Sequence, residues 1–170
     1  MGLSVNLTVE EPITVSSTGI FVREGGGNRE LSLTEAKERY PDEDIKVHTY
    51  ETNELFSDSI THNLTKMAEE AGLYDALWRP YRLSRDWEDF SQGEYDYHTE
   101  LDFENEQSMV AYDLINTLAL GLSNLIKSKD ELLKYNPKNG WGSYETLLKF
   151  TKGYLMACIE NPDAKVEVSR

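Results

Sequence analysis

Two short stretches of this 170-residue chain gather side chains that could do chemistry. The first is Thr61-His62-Asn63, followed later by Trp78-Arg79-Pro80. Near a helix start, Thr61 and Asn63 can tie down free backbone N–H groups, while His62 presents a titratable ring. Trp78 beside Arg79 sets a large aromatic next to a guanidinium fork. That pairing suits a planar or anionic ligand, by stacking and by bidentate hydrogen bonding. It equally suits a structural clamp, with Arg79 held by a carboxylate and Trp78 filling a helix junction. The second stretch is Asn136-Pro137-Lys138-Asn139-Gly140-Trp141-Gly142-Ser143-Tyr144-Glu145. Glycines flanking Trp141 let the backbone turn sharply, and the helix that follows offers free N–H groups to an anion. Trp141 and Trp78 lining a common pocket is one reading; an anchored junction between two helices is the simpler one. The candidate binding residues are therefore Thr61, His62, Asn63, Trp78, Arg79, Asn139 and Trp141.

Other chemistries find less support in the residues. His48, His62 and His98 have no second histidine at helical spacing, and no HExxH or paired-cysteine pattern occurs. Glu51, Glu54 and Asp58 could complete a hard-metal site with His48, but abundant acid makes such coincidences cheap. No metal and no cofactor are expected. No GxSxG elbow is present. Asp58 and His62, four apart, would share a helix face as an acid–base pair, although a capping network at a helix start explains them as well. Gly25-Gly26-Gly27-Asn28 lacks the spacing of a phosphate loop and reads as a hairpin tip. Cys158 is the single cysteine, so no internal disulfide can form, and its apolar neighbours make it a buried hydrophobe.

The net charge of −14 is uneven. Residues 1–57 hold 5 basic and 11 acidic groups, residues 58–107 hold 4 and 13, and residues 108–170 hold 8 and 7. Like charge over the first two thirds opposes direct nucleic-acid binding. No window is apolar enough for a membrane span, and Met1 to Glu10 does not resemble a secretory signal.

The elements that must position these residues follow from periodicity. Ser4–Val9 alternates as a strand, interrupted by Glu11 and Pro12. Ile13–Val22 is a second extended stretch kinked near Ser16–Gly19, and Ile45–Tyr50 a third. Thr34 caps a short helix through Arg39. A helix starts at Asp58 or Ser59, carries Ile60, Leu64, Met67, Ala68 and Ala71 on one stripe, and stops at Gly72. Leu73–Trp78 forms a further helical turn, ended by Pro80. Asp86–Glu106 holds nine acidic groups and no basic one. It reads as a solvated loop tacked down by Trp87, Phe90, Tyr95, Tyr97 and Phe103, with a brief strand near Leu101–Phe103. Ser108 opens a long helix whose face is Tyr112, Ile115, Leu118, Ala119, Leu122, Leu125 and Ile126, broadened by Leu114 and Leu120. Ser128 with Glu131 forms a capping box for a short helix. Ser143 caps the last helix, with Leu147, Phe150 or Thr151, Tyr154, Leu155 and Cys158 on its face. Val166 and Val168 belong to a closing strand beside the first. The expected fold is α+β, a small mostly antiparallel sheet packed against three or four helices in a single domain, 1–170.

The run Ile60-Thr61-His62-Asn63-Leu64, Met67-Ala68-Glu69-Glu70-Ala71-Gly72, Tyr74 and Leu77-Trp78-Arg79-Pro80 resembles a family of small uncharacterised proteins encoded by bacteriophages and prophages. So does Tyr135-Asn136-Pro137 with Asn139-Gly140-Trp141-Gly142-Ser143-Tyr144-Glu145, followed by Phe150, Tyr154, Leu155, Ala157, Cys158, Asn161 and Pro162. The resemblance covers residues 60–83 and 108–170, and it implies that 25–44 and 86–106 are inserted segments. It marks residues without assigning them roles, and it implies a bacterial cytoplasm as the place of action.

Four functions follow as expectations. The leading one is a phage-type accessory protein that binds a host or phage protein through its acidic face, which a basic partner would complement. The alternatives are a small-ligand or nucleotide-binding protein using His62, Trp78, Arg79 and Trp141, a virion component, and a hydrolase-like enzyme with His62 as base or metal ligand. A monomer or small homo-oligomer is expected.

Overall fold

In a computed structural model the chain is described over residues 2–45 and 47–170. The architecture is α+β, a small antiparallel sheet packed against several helices, with a separate two-stranded hairpin. The chain divides into two compact units, Met1–Val9 with Glu54–Arg170, and Glu10–Asn53.

The sheet has the order β4-β1-β5, built from β1 (Gly2–Ser17), β4 (His48–Thr61) and β5 (Lys165–Ser169). β5 runs antiparallel to β1, with Ser4 opposite Ser169 and Leu7 opposite Val166. The closing strand therefore lies beside the first, as its alternation predicts. Leu3, Val5 and Leu7 fill the core face of β1. Glu11 and Pro12 do not interrupt this strand, contrary to expectation. The ladder between β1 and β5 ends at Thr8, so Pro12 takes no N–H from it. Of the predicted strand Ile45–Tyr50, Lys46 lies outside the described residues, and β4 begins at His48.

β4 continues to Thr61, so no helix begins at Asp58 or Ser59. Ile60 is buried, and one apolar residue four before Leu64 fits a strand end as well as a helical stripe. The helix proper is α2 (Thr65–Glu70), reached through a 3-10 turn at His62–Leu64, and Gly72 follows it with φ 75.

In the smaller unit, β2 (Phe21–Glu24) and β3 (Gly27–Glu30) pair as a hairpin. Gly25 and Gly26 both have positive φ, 59 and 88, as a two-residue hairpin turn requires. Ser32, not Thr34, caps α1 (Leu33–Arg39). Its side chain accepts the Glu35 N–H, and the Glu35 carboxylate accepts the Ser32 N–H in return.

The largest departure is the acidic segment, which is helical. α4 (Arg85–Ser91) and α5 (Tyr97–Glu106) replace the predicted loop and brief strand. Asp96 caps α5 by accepting the N–H groups of His98 and Thr99, which places negative charge at the positive end of the helix. The tacking-down by aromatics occurs for Trp87, Phe90, Tyr95 and Phe103, whereas Tyr97 is exposed. Phe90 stacks on Phe103 at 4.4 Å, and Trp87 meets both rings and Tyr81.

The long helix α6 (Ala111–Lys127) starts three residues after Ser108. Ala111, Leu114, Leu118, Gly121 and Leu125 are its buried residues, while Tyr112, Ala119, Leu120 and Ile126 face outward. The buried face is thus turned from the predicted one, because Leu73 seats directly against Gly121. A Cβ there would lie 2.2 Å from Leu73 Cδ2. Ser128 precedes α7 (Lys129–Leu132) without a side-chain cap, so no capping box forms there. Ser143 caps α8 (Tyr144–Glu160), and Leu147, Phe150, Thr151, Tyr154, Leu155 and Cys158 are all buried along it. α3 (Tyr74–Trp78) and a 3-10 turn at Pro80–Leu83 complete the frame. No helix among the described residues is long and apolar enough to cross a membrane.

Candidate functional site

The end of β4 sets the position of the histidine. Thr61 closes the strand and its hydroxyl accepts the Asn63 N–H, turning the chain so that His62 opens the 3-10 turn. The Thr65 hydroxyl donates to the His62 carbonyl at 2.6 Å and fixes that turn from the other side. Trp78 comes to the same place from α3. Its Nε1–H donates to His62 Nδ1 at 3.1 Å. An indole can only donate, so Nδ1 is the acceptor and the neutral ring carries its proton on Nε2. The Trp78 ring is 2% exposed, stacked against Tyr74 at 5.8 Å with 9° between planes. Trp78 therefore orients His62 and packs the junction, and its own face is not open to a ligand.

Arg79 ends α3. Its Nη1 donates to Tyr81 Oη at 2.8 Å, and Tyr81 Oη donates to Glu100 Oε1 at 2.6 Å. The same carboxylate oxygen accepts Arg82 Nη2 at 2.6 Å and Arg82 Nε at 3.2 Å. Arg79 itself reaches Glu100 only at 3.8 Å, and its Nε is buried without a partner. Burial works against the Arg79 charge, but the hydrogen bonds it donates to Tyr81 and Tyr74 outweigh it and hold its pKa above the ordinary arginine value. Burial would raise the pKa of Glu100. Its bonds to Tyr81 and Arg82 win and hold it below the usual carboxylate range. Arg82 also lies over the Trp87 ring at 5.1 Å.

These groups open on a cleft of ≈ 610 Å³. His62, Trp78 and Arg79 line it together with Thr65 and Tyr74. Its opposite wall is one face of α5, where Tyr97, Leu101, Glu104 and Asn105 recur at four-, three- and one-residue steps. Val168, Ser169 and Arg170 from the end of the chain complete it. Arg170 donates to the Trp78 carbonyl at 3.1 Å through Nη1 and pairs with Glu104 through Nη2.

Three of the seven predicted site residues, His62, Trp78 and Arg79, thus line one cleft. Thr61 positions His62 from behind. Asn63 is exposed and donates weakly to the Trp141 carbonyl at 3.5 Å. Trp141 is 69% exposed and outside the cleft lining. Its loop is a built junction. Asn139 Oδ1 accepts the Trp141 N–H at 3.0 Å, and Asn136 Oδ1 accepts the Tyr144 N–H at 2.7 Å. Gly142 has φ 93 and lies so close to β4 that a Cβ would meet Thr61 Cγ2 at 2.6 Å. The loop therefore buttresses the residue that turns His62 into place.

The proposed Asp58–His62 pair does not share a helix face, since Asp58 lies exposed in β4. Among the described residues no three His, Cys, Asp or Glu side chains converge as a metal site. Sequence reasoning missed Tyr97, Leu101, Glu104, Asn105 and Arg170. The helical spacing of the first four, with Asp96 and Thr99 forming a capping box at the start of the helix, was the available signal. Comparison of the chain with family models, curated proteins and solved structures finds no match.

Proposed function

We propose that this protein works by binding, and that the cleft beside His62 and Arg79 is where a ligand sits. One observation carries the reading. A histidine with a fixed tautomer and an arginine whose nearest carboxylate is 3.8 Å away meet in a cleft whose size lies within the range of small-ligand sites. The reading keeps the ligand-binding alternative, with α5 and Arg170 taking the place of Trp141. The three tryptophans provide the test. In a fragment screen followed by ¹⁵N–¹H NMR, ligands of this cleft shift the Trp78 indole N–H and leave that of Trp141 unmoved. Binders that scatter over the surface without moving Trp78 would defeat the proposal.

A second reading, the phage-type accessory protein in a bacterial cytoplasm, draws on the acidic segment. Of its nine carboxylates, Glu100 and Glu104 turn inward to arginines. Asp86, Glu88, Asp89, Glu94, Asp96, Asp102 and Glu106 are exposed, and none has a cation within 4.0 Å among the described residues. Five of them are held on two helices, with Glu94 and Asp96 between, and together they present a negative surface to a basic protein partner. A lysine-rich peptide should bind there with a steep salt dependence. Binding that survives D86N/E88Q/D89N unchanged would argue against it.

A further inference from the structure

Resting on the cleft being a ligand site, the charges around it say what kind of ligand it takes. Its lining side chains hold two cations, Arg79 and Arg170, and one carboxylate, Glu104. Arg170 and Glu104 satisfy each other, which leaves the Arg79 guanidinium. The carboxylate nearest to Arg79 is 3.8 Å away, and its facing oxygen already accepts from Tyr81 and Arg82. Arg79 is therefore held by the neutral Tyr81 and Tyr74 hydroxyls and enters the cleft without a close anionic acceptor, on a chain that is otherwise rich in them. His62 adds a second donor, because Nδ1 is taken by Trp78 and Nε2–H is the only hydrogen-bonding group its neutral ring has left. Thr65 spends its hydroxyl proton on the His62 carbonyl. Around these donors Tyr97, Leu101 and Val168 supply apolar and aromatic contacts beside the polar Asn105 and Ser169.

We infer that the cleft binds an organic carboxylate, its anionic head meeting Arg79 and His62 Nε2–H and its apolar body lying along Tyr97, Leu101 and Val168. A monoanionic carboxylate matches one available cation. The cationic ligand that the net charge of −14 would suggest is disfavoured here, because the one lining carboxylate is already paired. The carboxylate can belong to a free organic acid or to the C-terminus of a peptide.

The test uses the full chain, with phenylacetate, phenylacetamide, inorganic phosphate, and a hydrophobic tripeptide carrying a free or amidated C-terminus. Phenylacetate should move the Trp78 indole N–H and bind ~10-fold or more tightly than the isosteric amide, the size of one charge-assisted contact. A free-carboxylate tripeptide that exceeds phenylacetate identifies a peptide end as the source; a weaker one identifies a free acid. R79Q should abolish the acid-over-amide preference. R82Q should keep it, since Arg82 holds the same Glu100 but does not line the cleft. Equal binding of acid and amide at Trp78 overturns the carboxylate assignment while leaving a ligand cleft. Phosphate binding tighter than phenylacetate overturns it too, as does R82Q matching R79Q. If no probe and no fragment moves Trp78, the cleft reading itself fails. Should R79Q not fold, the acid-to-amide ratio of the unsubstituted protein decides alone.

Discussion

Glu100 fastens the cleft wall to the body, and Glu100→Gln measures how firmly. The carboxylate side chain is 13% exposed and one oxygen accepts three donors, from Tyr81 and Arg82, at 2.6, 2.6 and 3.2 Å. Hydrogen bonds to a charged group contribute about 1.5–3 kcal/mol each in mutational series, but the values are not additive. Glutamine keeps an acceptor oxygen, and the arginines, with side chains 28% and 23% exposed, can recover some water. The net loss is therefore about 2 kcal/mol at pH 7. For a chain of this size that lowers Tm by about 4–8 °C. The pH dependence gives the sharper assay. Because the folded pKa of Glu100 is depressed, its stabilisation is fully present above the unfolded value of roughly 4.3 and is lost as pH falls through the folded value. Wild type and E100Q should differ at pH 7 and converge in acid, where the wild-type carboxyl is neutral as well. Asp102→Asn, an exposed acid on the same helix, should stay within about 0.5 kcal/mol of wild type at pH 7. A gap between wild type and E100Q that is absent at pH 7, or constant down to pH 3, would refute the reasoning.

Two further outcomes test the frame around the site. Gly140 and Gly142 both have positive φ, but a Cβ on Gly140 meets nothing within 4 Å whereas one on Gly142 strikes Thr61 and Leu64. G140A should cost about 1 kcal/mol and G142A about 2–4 kcal/mol by denaturant unfolding, with only the latter shifting the His62 ring resonances. Equal costs would mean that the loop does not buttress Thr61. Burial pushes the Cys158 thiol up to about 12, so a disulfide reagent at pH 8 should react on the order of 10³-fold more slowly than with the denatured chain. Rapid modification of the folded protein would show that this core is open.

How much was legible from residues alone depended on which physical scale decides each feature. Short-range rules located several features correctly. Alternation marked Val5, Leu7, Val166 and Val168 as paired strands, and the glycines at 25 and 26 marked the hairpin turn. Ser143 marked the start of α8, and the face of that helix was read correctly along its length. Trp78 and Arg79 were singled out by composition, and they do lie with His62. The acidic segment was misread because its charge density was weighed as though it stood alone in water. In the folded chain Glu100 and Glu104 are neutralised by Arg82 and Arg170, and Phe90 and Phe103 pack together, so helix formation no longer has to overcome the full self-repulsion.

The sequence by itself determined the α+β class, the closing strand beside the first and the identity of the reactive side chains, because these depend on periodicity and residue type within a few positions. Only the tertiary structure decided which of those side chains share a site. Trp141 was set apart from Trp78 by the close seat of Gly142 on Thr61, and the turn of α6 was set by Leu73 against Gly121. The far wall of the cleft came from α5 and from Arg170, distant in sequence from His62. Their charge partners, unlike a local periodicity, become adjacent only once the chain has folded.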